Sequence, residues 1–264
     1  MRFLCLLFAG ALSLSAGESR IASFSPGATR TLLDLGCASE LVMATRWCPL
    51  PAGHPAAREA DVFMPDLERL LKVRPSLVIL PRMANPLWAE KCAKAGLRVI
   101  VLHPESGDST SKDIERLGEA VDRAPAAARI TAPLRARPRQ PDWKVVIVWD
   151  GVMAGPGSYL AEPLAAAGMR SALTQGAWVK FDWELLASTR PDAVLFILNS
   201  VDDGPIGFYP EKDAQMRQIP VIKELSCLKS GHIYQVPSGG NWLPGSGLIR
   251  VIADLKALRL PGGR

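Results

Sequence analysis

The sequence predicts an α/β chain of two related lobes joined by a helical connector. Three observations carry that expectation. Short apolar runs alternate with helical patterns, one helix–strand passage recurs in each half, and a proline-punctuated helical stretch separates the two copies.

The strands come first. Ile21–Ser25, Leu77–Leu80, Val99–Leu102, Val145–Trp149, Val194–Leu198 and Ile233–Val236 are short and bounded by Pro, Gly or charge. Several are apolar at nearly every position, as strands covered on both faces are. Between them lie helical patterns: Thr29–Leu35 stops at Gly36, Leu67–Val73 stops before Arg74-Pro75, and Leu87–Ala95 stops at Gly96. The recurring passage runs from Asp66 to Leu80 and from Asp182 to Phe196. In each copy an Asp suited to capping a helix precedes a Glu, then an Arg-Pro pair, then an apolar strand. Glu68 to Pro75 and Glu184 to Pro191 are both seven residues, and the copies lie 116 residues apart. The connector, 109–142, opens on an amphipathic pattern over Ser111–Val121 with Ile114, Leu117 and Val121 on one side. Pro125, Pro133, Pro138 and Pro141 follow, and proline inside a helix removes a hydrogen bond and clashes with the preceding turn. The connector is therefore expected to be broken rather than one long helix.

Composition excludes several classes. The chain has 264 residues, 48% hydrophobic and 22% charged, which is too apolar for disorder. A net charge of +5, with no basic block beyond the patch Arg135–Arg139, is too mild for a nucleic-acid binder. At the N-terminus, Arg2 precedes a 12-residue apolar run, Phe3–Leu14, and then Ser15, Ala16 and Gly17. That is the build of a secretory signal over residues 1–17, and the run is short of the ~20 residues a membrane span needs. The mature chain is expected to be periplasmic. Cys37, Cys48, Cys92 and Cys227 then remain, either in one or two disulfides or as buried thiols.

Motifs for catalysis are sparse. There is no Gly-x-x-x-x-Gly-Lys, His-Glu-x-x-His or Gly-x-Ser-x-Gly, and His54, His103 and His232 share no ligand spacing. The turns Ser23–Gly27 and Gly155–Ser158 each follow a strand and precede a helix, where open α/β sheets bind ligands. An exported α/β hydrolase using Ser25 or Ser158 is one alternative, although an activated serine needs a base and none is placed by the sequence. Trp47, Phe63, Met153 and Trp242 fall in loops after strands, where either ligand contact or plain packing explains them.

From Arg20 onward the chain resembles the periplasmic substrate-binding proteins that deliver cobalamin, ferric siderophores or haem to ABC importers, and most resembles the cobalamin-binding branch. The resemblance rests on Arg20–Pro26 entering a helix that ends Leu35-Gly36, then Ala44–Pro49 with Pro51, Asp66–Leu70, Arg74–Ile79, Pro191–Leu195 and Lys229–Pro237. It implies two Rossmann-like lobes, 18–108 and 143–264, with a ligand cleft between them and little hinge motion. It implies a non-enzymatic carrier without a resident cofactor, expected to be monomeric, whose partners are a small-molecule ligand and a membrane permease. Ligand contacts carried over are Ser25, Pro26, Trp47, Phe63, Met153, Asn241 and Trp242. Glu68 and Glu184 match surface glutamates that dock on permease arginines; from the residues alone, each also suits the first turn of a helix. Asn241 stands where the cobalamin-binding branch has an acidic residue and Gly245 where it has a basic one. Haem or a metal oxyanion is the alternative ligand.

Overall fold

The computed structural model describes residues 19–59, 66–104, 108–138, 143–199, 204–238 and 240–258. The expected signal segment and Phe63 lie outside them. The N-terminal half builds β1 (Ile21–Ser23), α1 (Pro26–Asp34), β2 (Leu41–Thr45), β3 (Ala57–Glu59), α2 (Leu67–Lys72), β4 (Leu77–Pro81), α3 (Pro86–Lys94) and β5 (Arg98–Leu102). Its sheet is wholly parallel in the order β3-β2-β1-β4-β5. Ile21, Val78, Ile79 and Leu80 are fully buried, which explains why these strands read as continuous apolar runs.

Two helices follow, α4 (Ser109–Ala120) and α5 (Ala124–Leu134). The chain turns between them through Asp122, which takes φ 57°. Pro125 lies in the first turn of α5, where its missing N–H has no helical partner to lose. The connector is thus broken by a turn and folds back, with Glu115 of α4 accepting from Thr131 and Arg135 at 3.1 and 2.7 Å.

The C-terminal half comprises β6 (Trp143–Trp149), β7 (Val152–Ala154), α6 (Ala161–Ala166), β8 (Met169–Ser171), β9 (Trp178–Lys180), α7 (Trp183–Thr189), β10 (Ala193–Leu198), β11 (Gly207–Phe208), α8 (Pro210–Arg217), α9 (Ser226–Lys229), β12 (Ile233–Pro237) and α10 (Leu248–Ala257). Four of its strands run parallel in the order β8-β6-β10-β12. That repeats β2-β1-β4-β5 of the first half, so each sheet is centred on the same pair: first strand beside the strand after Arg-Pro. The echo seen in sequence is a structural one. Asp66 caps α2 by accepting from the N–H groups of Glu68 and Arg69, and Asp182 caps α7 by accepting from that of Leu185. Arg74 and Arg190 both adopt φ 44° between their helix and Pro75 or Pro191.

The halves share one core at their base. Leu32 and Ile79 of the first, Leu117 and Leu134 of the connector, and Leu164 and Leu255 of the second belong to a single buried cluster. Above it the loop after β12 presses onto α1. A Cβ on Gly27 would come within 2.0 Å of the Pro244 carbonyl oxygen, and one on Gly245 within 2.4 Å of the Gly27 oxygen. Only glycine permits this backbone approach. Beside it the Ser246 N–H donates to Thr31 Oγ1 at 3.0 Å and the Ser246 hydroxyl donates to Asp34 at 2.6 Å. On the connector side, Glu162 of α6 is fully buried and accepts from the backbone N–H and the hydroxyl of Ser111, in the first turn of α4. Asp108, at the N-cap of α4, makes no side-chain cap, so a carboxylate from the other lobe supplies an acceptor there.

Two predictions follow from this seam. Gly27→Ala should lower unfolding free energy by about 1–3 kcal/mol, read from urea midpoints, because the methyl meets backbone rather than a mobile side chain. The second concerns pH. Burial raises the carboxyl of Glu162 above its usual range, so the folded chain retains that proton where the unfolded chain has lost it. Stability from this group is therefore greatest below the ordinary carboxylate value and falls as pH rises through that value toward the raised one. Asp113, raised by burial too, acts in the same direction. Glu162→Gln should flatten the part due to Glu162 in urea midpoints compared from pH 4 to 7, the ~4.3 reference value lying inside that range.

Candidate functional site

Between the halves, at the carboxyl ends of the parallel strands, lies a cleft of about 600 Å³. The N-terminal wall comes from turns after consecutive sheet neighbours: Phe24–Gly27 after β1, Thr45 and Trp47 at the end of β2, Pro81–Met83 after β4 and Pro104 after β5. The facing wall is Tyr159, Trp178, Leu243 and Pro244. Ser25, Pro26 and Trp47, singled out from the sequence, are all brought here.

Trp47 is 68% exposed, with the Arg46 guanidinium 4.8 Å from its ring centroid. Its loop is held from beneath. Arg58 donates to the carbonyls of Thr45 and Cys48 at 3.2 and 3.0 Å, and the Cys48 sulfur meets the Thr29 hydroxyl at 3.0 Å. Met83, 67% exposed, stands on the same wall. Opposite, Trp178 packs against Tyr159 with ring centroids 5.5 Å apart and against Trp149 at 6.4 Å. Trp149 is anchored by its Nε1–H donating to Asn199 at 2.8 Å. One exposed indole thus faces a cluster of aromatic rings across the cleft, each wall fixed by its own supports.

Three expected contacts are placed elsewhere. Met153 is fully buried in the core between the C-terminal sheet and its outer helices, because β7 turns it away from the cleft. Trp242 is 2% exposed and packs in the shared core at the seam. Asn241 is buried beside it, its Oδ1 without a hydrogen-bond partner among the described residues. The loop does reach the cleft, but through its next residues, Leu243 and Pro244. Sequence reasoning missed Tyr159, Trp178, Arg82 and Met83. Arg82 and Met83 follow β4 directly, so the strand-end rule that found Trp47 would have found them; Trp178 sits on an antiparallel strand, outside that rule.

The chemistry of the walls is lopsided. Arg82 is the one charged side chain among the described lining residues of the cleft, and no carboxylate, imidazole or thiol is among them. No group of three or more His, Cys, Asp or Glu able to hold a metal ion occurs among the described residues. Burial pushes the Tyr159 phenol well above its usual range, so it is a hydrogen-bond donor rather than an anion. Ser25 caps α1, accepting from the Ala28 N–H at 3.4 Å, and Ser158 is buried and donates to the Gly155 carbonyl at 2.8 Å. His54 and His232 bond to the carbonyls of Ala38 and Asp192. Helix α6, after Ser158, is six residues long and Gly155 backs directly onto the Gly176 carbonyl, so this turn closes on protein rather than on an anion. All four described cysteines are buried thiols, and burial raises Cys37, Cys92 and Cys227 to about 11. Glu68 and Glu184 do not line the cleft; both are exposed, in the first turns of α2 and α7.

Comparison with known proteins gives a consistent answer. The family described as "Periplasmic binding protein" matches residues 21–239. The chain is 28% identical over 130 residues to the vitamin B12-binding protein of Photorhabdus laumondii, covering 47% of this chain and 46% of the relative. It is 21% identical over 208 residues to a cobalamin-binding protein of Halobacterium salinarum, covering 70% and 55%. The chain spans about half the length of the curated relatives it matches. Among solved structures, the haem-binding protein HutB of Vibrio cholerae superposes with a TM-score of 0.70 at 17% identity, over 90% of this chain and 98% of that one. The vitamin B12-binding protein BtuF of the same organism gives 0.66 at 15%, over 90% and 95%. At these identities the structures show a shared fold. With the family match covering most of its length, the chain belongs to the periplasmic binding protein family.

Proposed function

We propose that the chain is an exported carrier that captures a corrinoid, with cobalamin the reference ligand, and delivers it to the permease of an ABC importer. The observation that carries this reading is the cleft itself: about 600 Å³ at the strand carboxyl ends, walled by Trp47, Trp178 and Tyr159, with no carboxylate among the described lining residues. Such walls suit a bulky ligand with broad apolar faces, gripped by ring contact and oriented by a few polar groups. They suit a bare oxyanion or metal ion poorly, since those need converging charge. The curated relatives named for vitamin B12 and cobalamin support the corrinoid; the haem-binding neighbours keep haem as the ligand to test beside it. The apolar N-terminal run supports export, and no helix of the described residues is long and apolar enough to cross a membrane.

Glu68 and Glu184 are the proposed handles for the permease. They are exposed, they open equivalent helices of the two lobes, and neither lines the cleft. Exposed charges of this kind steer and orient an encounter more than they tighten it.

Titration of intrinsic tryptophan fluorescence, corrected for inner-filter absorption, should show cyanocobalamin binding tighter than ~10 μM, about 7 kcal/mol. Haemin and a ferric hydroxamate are the comparison ligands. Trp47→Ala should weaken the binding at least tenfold, about 1.4 kcal/mol, without moving the urea midpoint. A wild-type chain that binds cyanocobalamin no better than the hydroxamate would overturn the corrinoid reading. For the handles, Glu68→Lys combined with Glu184→Lys should abolish stimulation of importer ATPase in proteoliposomes while ligand affinity stays within twofold. Undiminished stimulation would remove them from the interface.

A further inference from the structure

Three hydroxyl groups belong to the described lining of the cleft, those of Ser25, Thr45 and Tyr159. Two are drawn into the protein. Ser25 Oγ accepts from the Ala28 N–H at 3.4 Å, and Thr45 Oγ1 lies 3.2 Å from the buried Cys48 sulfur. Tyr159 differs. The residue is only 7% exposed, yet its hydroxyl has no hydrogen-bond partner among the described residues. Nor is that oxygen sealed in: the polar side-chain atoms shut away without a partner, among the described residues, are Thr110 Oγ1 and Asn241 Oδ1. An unpartnered oxygen that stays accessible, on a side chain otherwise packed, opens into the cleft that Tyr159 lines.

The phenol is aimed before any ligand arrives. Its ring belongs to the shared core and leans on Trp178, centroids 5.5 Å apart. The turn before it is tied to the strand that carries Trp178: the Gly155 N–H donates to the Ala177 carbonyl at 2.8 Å and the Gly157 N–H to the Gly176 carbonyl at 2.9 Å. Burial raises the phenol well above its usual range, so the oxygen keeps its proton. A ligand that covers this wall takes away the water the hydroxyl has left. One that brings no acceptor leaves a donor buried and unpaired, whereas one with an oxygen at that point does not, and sites of this kind discriminate by the presence of the acceptor.

We propose that the Tyr159 hydroxyl is a specificity-determining donor of the cleft, giving its hydrogen bond to an acceptor oxygen at the edge of the bound macrocycle. The inference rests on the cleft being the ligand site. The oxygen has two chemical sources, a carboxamide on a corrin or a carboxylate on a porphyrin.

Tyr159→Phe deletes the hydroxyl and keeps the ring. Its urea midpoint should match that of wild type; a fall would show that the oxygen serves the fold and would overturn the proposal. The probes are cyanocobalamin, haemin and iron(III) octaethylporphyrin, whose edge carries ethyl groups and no oxygen. Tyr159→Phe should bind cyanocobalamin or haemin at least fivefold more weakly than wild type, and the probe that shows the loss identifies the source. Affinity for iron octaethylporphyrin should stay within twofold. In a crystal structure of the wild-type complex, Tyr159 Oη should lie within about 3.2 Å of a ligand oxygen. Unchanged affinity for all three probes, or a nearest ligand oxygen beyond about 3.5 Å, would overturn the donor and leave the cleft reading standing. An equal loss for iron octaethylporphyrin would make the effect one of packing and overturn it too. A tyrosinate-to-iron charge-transfer band with haemin that vanishes in Tyr159→Phe would make the residue a metal ligand instead of a donor, with the same result. Failure of the wild-type chain to bind any of the three below ~10 μM would overturn the cleft reading, and the donor with it.

Discussion

The backbone contact between Gly27 and Pro244–Gly245 sets everything that lies above it. Two strand-end loops from different lobes meet there at a distance that excludes any side chain, and Ser246 ties the contact to Thr31 and Asp34. On the connector side the buried Glu162 carboxylate joins α6 to the first turn of α4. One fastening is neutral backbone and short hydroxyl bonds; the other is a buried carboxyl group whose hold on its proton burial strengthens. With a shared core beneath them, the lobes are held on both sides of the cleft's base. A cleft supported this way is formed before the ligand arrives, so binding does not have to organise its walls, and that ordering cost is a large share of what weakens flexible sites.

The frame was open to a reader of the sequence because parallel strands buried on both faces leave a plain signal. Leu77–Leu80 and Val194–Leu198 are apolar at almost every position for that reason, and β4 and β10 lie there. The repeated Asp–Glu–Arg-Pro passage was legible for a local reason: an N-cap and a proline stop act over a few residues and do not depend on the rest of the fold. The site was legible only in part. Ser25, Pro26 and Trp47 follow parallel strands, so topology alone delivers them to the cleft. Met153 and Trp242 also come just after strands, yet they point into cores, because β7, which carries Met153, hairpins back along β6 and the loop after β12 dives into the seam before it surfaces at Leu243. Direction within a loop is set by tertiary contacts that no short-range rule sees. Trp178 shows the converse: an antiparallel addition to the sheet brings an aromatic to the opposite wall where the strand-end rule does not look.

The cleft walls also explain an expense elsewhere on the surface. Trp47 and Met83 are large apolar side chains left in water along one wall of the cleft. Single exposed apolar residues are ordinary, but two together at the mouth of a cleft mark a surface suited to being covered. The exposure of Trp47 is maintained by dedicated supports, Arg58 and Cys48 beneath its loop. A chain under selection only for stability would fold such a loop onto its own core. Here the hydrogen bonds hold it away.

The two lobes repeat one strand order, and the repeat places Glu68 and Glu184 in the same position of the same helix in each. Helices α2 and α7 immediately precede β4 and β10, the strands that pair with the first strand of each sheet. The separation of the two glutamates is consequently fixed by the relation between the sheets, which is the relation the glycine seam and the Glu162 clamp maintain. A partner that grips both glutamates measures the seam rather than the ligand. For such a partner to tell a loaded chain from an empty one, it would have to read the rim of the proposed ligand cleft, where Trp47 and Met83 are exposed; the proposed handles would then supply orientation and the rim the signal.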